Sequence, residues 1–165
     1  MHKVYDMWPN IARESYNADF TQTDFRNITH IVFAGMGGSG SLSDVFSAIL
    51  SKTNIHVNIV KGYHLPSTVD HNTLVVTTSV SGNTVETLTV LDSAKNHNCK
   101  IIAFSDGGKM KDYCQKNNIE HRTITTYHSP RASFVSFLFS MLKILDLTIT
   151  IKKQDIFESI DRKST

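Results

Sequence analysis

Short runs of β-branched and other apolar residues recur along this chain, and most are followed by a stretch with helical spacing. That alternation constrains the fold more than any other feature. Ile28–Gly35 (ITHIVFAG), Ile55–Gly62 (IHVNIVKG), Asn72–Ser79 (NTLVVTTS), Cys99–Ser105 (CKIIAFS) and Ile119–Thr125 (IEHRTIT) read as strands. SLSDVFSAILSK, TVETLTVLDSAKNH and KMKDYCQKNN read as helices, as does PRASFVSFLFSMLKILDL, where Pro130 suits a first helical turn. Strands alternating with helices predict an α/β fold, a three-layer αβα sandwich around a five-stranded parallel sheet. A helical segment over residues 1–27 precedes it, with Tyr5, Trp8, Ile11, Ala12 and Tyr16 at helical spacing and Pro9 as an interruption. The sandwich is expected over 28–148. The tail, 149–165, turns charged, and Ile156, Phe157 and Ile160 mark one short amphipathic helix there.

Composition matters here for what it excludes. At 165 residues with 40% hydrophobic and 19% charged, the chain suits a single globular domain with a core. A net charge of +2, with Lys and Arg scattered, provides no basic stripe for nucleic acid. No apolar run is long enough to cross a bilayer, and MHKVYDMWPN lacks the apolar stretch of a signal peptide, so a cytoplasmic protein is expected. Cys99 and Cys114 fall outside any CxxC pattern and read as reduced thiols.

In an open parallel sheet, ligands bind beyond the carboxyl ends of the strands, where helix N-termini present free amides. Two loops fall there. GMGGSG, Gly35 to Gly40, matches GxGxxG and admits a dinucleotide reading, in which Lys61 after the second strand would meet a 2′-phosphate of NADP. It equally admits a plain strand–helix turn. SVSGNT, Ser79 to Thr84, gathers hydroxyls and an amide around Gly82. Asn83 and Glu86 match a capping box, which would use those two for the helix itself. Ser79, Ser81 and Thr84 then remain for an anion, and a phosphate monoester offers three acceptor oxygens.

SVSGNTVETL resembles the serine-rich phosphate loop of SIS (sugar isomerase) domains. GMGGSGSLSD, SPRAS and YDMWP are similar to segments of the bifunctional phosphoglucose/phosphomannose isomerase family, in the same order, and the resemblance spans roughly Met1 to Leu147. The resemblance implies a SIS-type, flavodoxin- or Rossmann-like sheet. It further implies that Ser39, Ser79, Ser81 and Thr84 hold the phosphate of a hexose 6-phosphate, with Gly37, Gly38, Gly82 and Asn83 near the sugar. Arg131 of SPRAS would stabilise an enediolate-like charge. The implied reaction is aldose–ketose isomerisation of glucose or mannose 6-phosphate to fructose 6-phosphate, with no cofactor. Val80 stands where the family usually has an aromatic, and Val85-Glu86 where it usually has an acidic pair. Family members carry two SIS-like halves, and the catalytic glutamate and ring-opening histidine belong to the second. This chain resembles the first half alone.

Isomerisation needs a ring-opening group and a base. Asp44, Glu86 and Asp106 are the carboxylates near the loops, and Glu86 reads as a cap or solvated residue. None of the eight histidines falls in a metal-binding pattern; His64 and His71 straddle a loop, and His121 and His128 flank the fifth strand's end. The resemblance places the base in the second half, and a homodimer or a separately encoded second half is expected as partner. The apolar breadth of SFVSFLFSMLKIL supports such pairing. A non-catalytic phosphosugar sensor and an NADP-binding oxidoreductase domain are the competing readings.

Overall fold

The computed structural model describes residues 6–127, 129 and 131–161, so Tyr5, His128 and Pro130 lie outside the described residues. Six helices and five strands follow one another there. They are α1 (Trp8–Asn17), β1 (His30–Ala34), α2 (Gly38–Leu50), β2 (His56–Val60), β3 (Thr73–Thr78) and α3 (Val85–Lys95), then β4 (Lys100–Ser105), α4 (Gly108–Lys116), β5 (Glu120–Thr123), α5 (Phe134–Ile144) and α6 (Lys153–Asp161). All strands pair in parallel in the order β2-β1-β3-β4-β5, the expected α/β sandwich.

Because both faces of the sheet are covered, its inner strands are apolar throughout rather than alternating. Every residue of β1 and β3 is buried. Ile31, Phe33, Leu74, Val76, Ile102 and Phe104 point to one face, against Leu42, Phe46 and Leu50 of α2 and Phe137, Met141 and Ile144 of α5. There Phe33 and Phe46 stack with ring centres 5.1 Å apart, each side chain contributing about 1.5–3 kcal/mol by burial. Val32, Ala34 and Val75 face the other way, against Val90 and Ala94 of α3, while Ala103 meets Leu91, Met110 and Cys114. Burial raises the Cys114 thiol to about 11 and so keeps it unreactive.

Several boundaries differ from expectation. Pro9 does not interrupt the first helix but sits in its first turn, where a missing N–H costs nothing. That helix stops at Asn17, and the following chain to Thr29 is irregular, with Phe20, Phe25 and Ile28 laid against the core. Helix α2 begins at Gly38 rather than Ser41, so part of the glycine loop is helix. As the sequence pattern predicts, no helix joins β2 to β3. The breadth of α5 is taken up within the chain, since α1 and α2 both pack on it. Ile156 and Ile160 of α6 are buried in the same core.

Candidate functional site

From β1 the chain moves outward to β2, whereas from β3 it moves the opposite way to β4. The direction of winding reverses between the carboxyl ends of β1 and β3, the switch point at which ligands bind in sheets of this kind. Ala34 and Thr77 are register partners there, so the two sequence-predicted loops leave the sheet side by side.

The first loop is formed largely by backbone. Gly35 donates its N–H to the Val60 carbonyl at 3.1 Å and lies so close to Ser39 that a Cβ would sit 2.9 Å from the Ser39 carbonyl carbon. Gly37, at φ 55° and ψ −123°, makes the turn into α2 in a region open to glycine. Ser39 is buried in the first turn of α2, and its hydroxyl is engaged by none of the described residues. Lys61 ion-pairs with Asp44 at 2.7 Å while its stem packs over Gly40. The lysine required by the NADP reading is thereby already matched with a carboxylate.

Side chains shape the second loop. Ser79 is buried, and its hydroxyl lies 2.9 Å from that of Thr84 in a shared hydrogen bond. Gly82 turns the loop at φ 70°. Thr84 is the N-cap of α3 by backbone conformation, yet no side chain caps the helix's first amides. The expected capping box does not form. The helix starts one residue later than that motif requires, and Asn83 is committed elsewhere. Its Nδ2 donates to the Ser81 carbonyl at 3.0 Å, and its Oδ1 accepts from the Lys109 N–H at 3.1 Å, at the start of α4. Ser81 and Asn83 are exposed and Thr84 is half-buried. Buried and exposed alcohols thus meet an uncapped helix end, and such an end attracts anions.

The other candidates lie further out. Arg131 is exposed in the turn before α5, beyond the carboxyl end of β5, and makes no hydrogen bond or ion pair with either loop among the described residues. Each nearby carboxylate is already engaged: Asp44 with Lys61, Asp106 with the Thr126 hydroxyl at 2.7 Å, and Glu86 beside Tyr63, whose phenol it pushes up. No group of three His, Cys, Asp or Glu able to hold a metal occurs among the described residues.

Sequence reasoning missed one group. Ser105, fully buried at the end of β4, bonds His121 Nε2 at 2.7 Å and both polar atoms of the Gly107 backbone. The glycine pair in SDGG was its only signal.

An open, doubly wound α/β domain with two glycine-containing loops side by side at its switch point is the class these features define. The chain belongs to the SIS domain family, whose model matches residues 24–151. It is 36% identical to the bifunctional phosphoglucose/phosphomannose isomerase of Caldicellulosiruptor bescii over 87% of this chain and 42% of that protein. It is 26% identical to the D-glucosamine-6-phosphate 4-epimerase of Sulfolobus acidocaldarius over 100% of this chain and 53% of that one. The chain therefore spans about half the length of these curated relatives. Among solved structures, the C-terminal domain of glucosamine-fructose-6-phosphate aminotransferase from Francisella tularensis superposes with a TM-score of 0.66 at 16% identity, over 99% of this chain and 52% of that one, a likeness of fold. No helix among the described residues is long and apolar enough to cross a membrane.

Proposed function

We propose that this chain is the phosphosugar-binding half of a phosphoglucose/phosphomannose isomerase, holding the phosphate of a hexose 6-phosphate at the tips of β1 and β3. The observation that carries this reading is the Ser79–Thr84 hydroxyl pair at the uncapped start of α3. Ser39 and Ser81 complete the phosphate contacts. Gly37, Gly38, Gly82 and Asn83 line the sugar's approach, with Gly82 allowing the backbone close to the ligand. Each hydrogen bond from a neutral donor to the dianion contributes on the order of 1.5–3 kcal/mol.

With Asp44, Glu86 and Asp106 all engaged, the base for proton transfer between C1 and C2 comes from a second SIS half. Arg131, exposed on the carboxyl side of the sheet, is free to turn toward the reacting carbons and stabilise their negative charge. Residues 28–148 form the binding domain, on whose core α1 and α6 pack. The matches to isomerases over most of the chain support this reading.

Titration calorimetry with fructose 6-phosphate tests it. The wild-type chain should bind, and Ser79→Ala/Ser81→Ala should bind at least about tenfold more weakly while staying folded. Equal affinity of the two would overturn the site, and a coupled assay of isomerisation to fructose 6-phosphate then reports whether the chain turns over unaided.

A further inference from the structure

Besides its internal hydrogen bonds, such as Gly82 N–H to the Ser79 carbonyl at 3.0 Å, the second loop is braced from outside. Four hydrogen bonds lace it to the neighbouring strand and turn: Ser79 N–H to the Phe104 carbonyl at 3.0 Å, Asp106 N–H to the Val80 carbonyl at 3.0 Å, Met110 N–H to the Gly82 carbonyl at 2.9 Å, and Lys109 N–H to Asn83 Oδ1. Gly82 also rests directly on the Gly107 carbonyl, to which a Cβ would come within 1.9 Å. The loop is thus cast against residues 104–110. That turn contains two glycines at positive φ, Gly107 and Gly108, which resist bending less than any other residue.

One side chain fixes it. Ser105 Oγ accepts from the Gly107 N–H at 3.2 Å and donates to the Gly107 carbonyl at 2.8 Å, clamping both ends of one flexible residue. A hydroxyl has a single proton, and Gly107 takes it. The remaining partner, His121 Nε2 at 2.7 Å, must therefore donate. His121 stands on β5, half-buried in register with Ala103, on the face covered by α4. The hydrogen bonds thus run from His121 to Ser105 and on to the Gly107 carbonyl that supports Gly82.

We propose that His121 is a positioning residue for the second loop, acting through Ser105. It sets the Ser105 rotamer, Ser105 sets Gly107, and Gly107 sets the height of Gly82 and hence of the alcohols on either side. The assignment rests on the phosphate reading of that loop for its function, but the mechanical link exists without ligand.

The test compares His121→Phe, which keeps a ring and removes the donor, with His121→Gln, whose amide nitrogen can take the place of Nε2. Native-state hydrogen exchange of the Asp106 and Met110 amides reads the link directly. In His121→Phe both should exchange about tenfold faster, with Phe33 in β1 unchanged, as expected for local opening. Affinity for fructose 6-phosphate should fall about fivefold, the loss of roughly one hydrogen bond's worth of order. His121→Gln should restore both to within about twofold. Adding Ser105→Ala to His121→Phe should cost no more than Ser105→Ala alone, because the two act in series. Unchanged exchange in His121→Phe, or equal damage from Phe and Gln, overturns the proposal. Wild-type protein that binds no phosphosugar overturns the ligand reading instead, and the exchange experiment still decides the link.

Discussion

The two loops at the switch point solve the same geometric problem with different degrees of outside support. Both leave a fully buried strand, pass a glycine at positive φ and open a helix. The first is tied to β2 by a single backbone bond, Gly35 N–H to the Val60 carbonyl, and to α2, where Gly35 rests on Ser39, while nothing lies within 4 Å of where a Gly37 side chain would begin. The second adds to its own hydrogen bonds a close fit against a neighbour, with Gly82 wedged on Gly107 and Asn83 reaching into α4. A positive φ alone marks a turn. A positive φ with a carbonyl directly behind it marks a turn that has been moulded, and the moulded one carries the paired hydroxyls.

Matched substitutions probe this contrast most sharply. Gly82→Ala combines backbone strain with a clash that Gly107 has no room to relieve, and should cost about 3 kcal/mol or more in urea unfolding. Gly37→Ala meets strain only and should cost about 1 to 2 kcal/mol. Equal losses would erase the distinction between the loops.

Acid should separate them as well. Burial, helped by Lys111, lowers the His121 pKa below its ordinary 6.5. The folded state then binds fewer protons than the unfolded chain once pH drops toward and below 6.5. Stability from this group is full above that value and is lost as pH falls through the folded pKa. Thermal unfolding should therefore decline more between pH 7 and pH 5 for the wild type than for His121→Gln, and parallel declines would contradict the assignment. The smallest effect belongs to the first loop's flank. Lys61 and Asp44 are half exposed, so Lys61→Met should shift unfolding by no more than about 0.5 kcal/mol.

The sheet was legible because parallel strands buried on both faces must be apolar from end to end, and ITHIVFAG or NTLVVTTS admits few other readings. Pro9 was legible as a special position but not as a start, since only packing of Ile11, Ala12 and Tyr16 on α5 places that helix. The hydroxyl loop could be read from local spacing. Its support could not. Asn83 three residues before Glu86 satisfies a local capping rule, yet the amide is taken by Lys109, twenty-six positions away. Nor does any local pattern connect Ser105 to His121, which meet only because β4 and β5 pair. Short-range chemistry survives in a sequence; who stands behind a loop is decided by strand order.

Strand β3 sits third of five, bonded along both flanks, and it bears the hydroxyl loop. The sheet's edge strands, β2 and β5, can fray without breaking either pairing of that middle strand. The hydroxyl loop is thus anchored on the strand least exposed to such fraying.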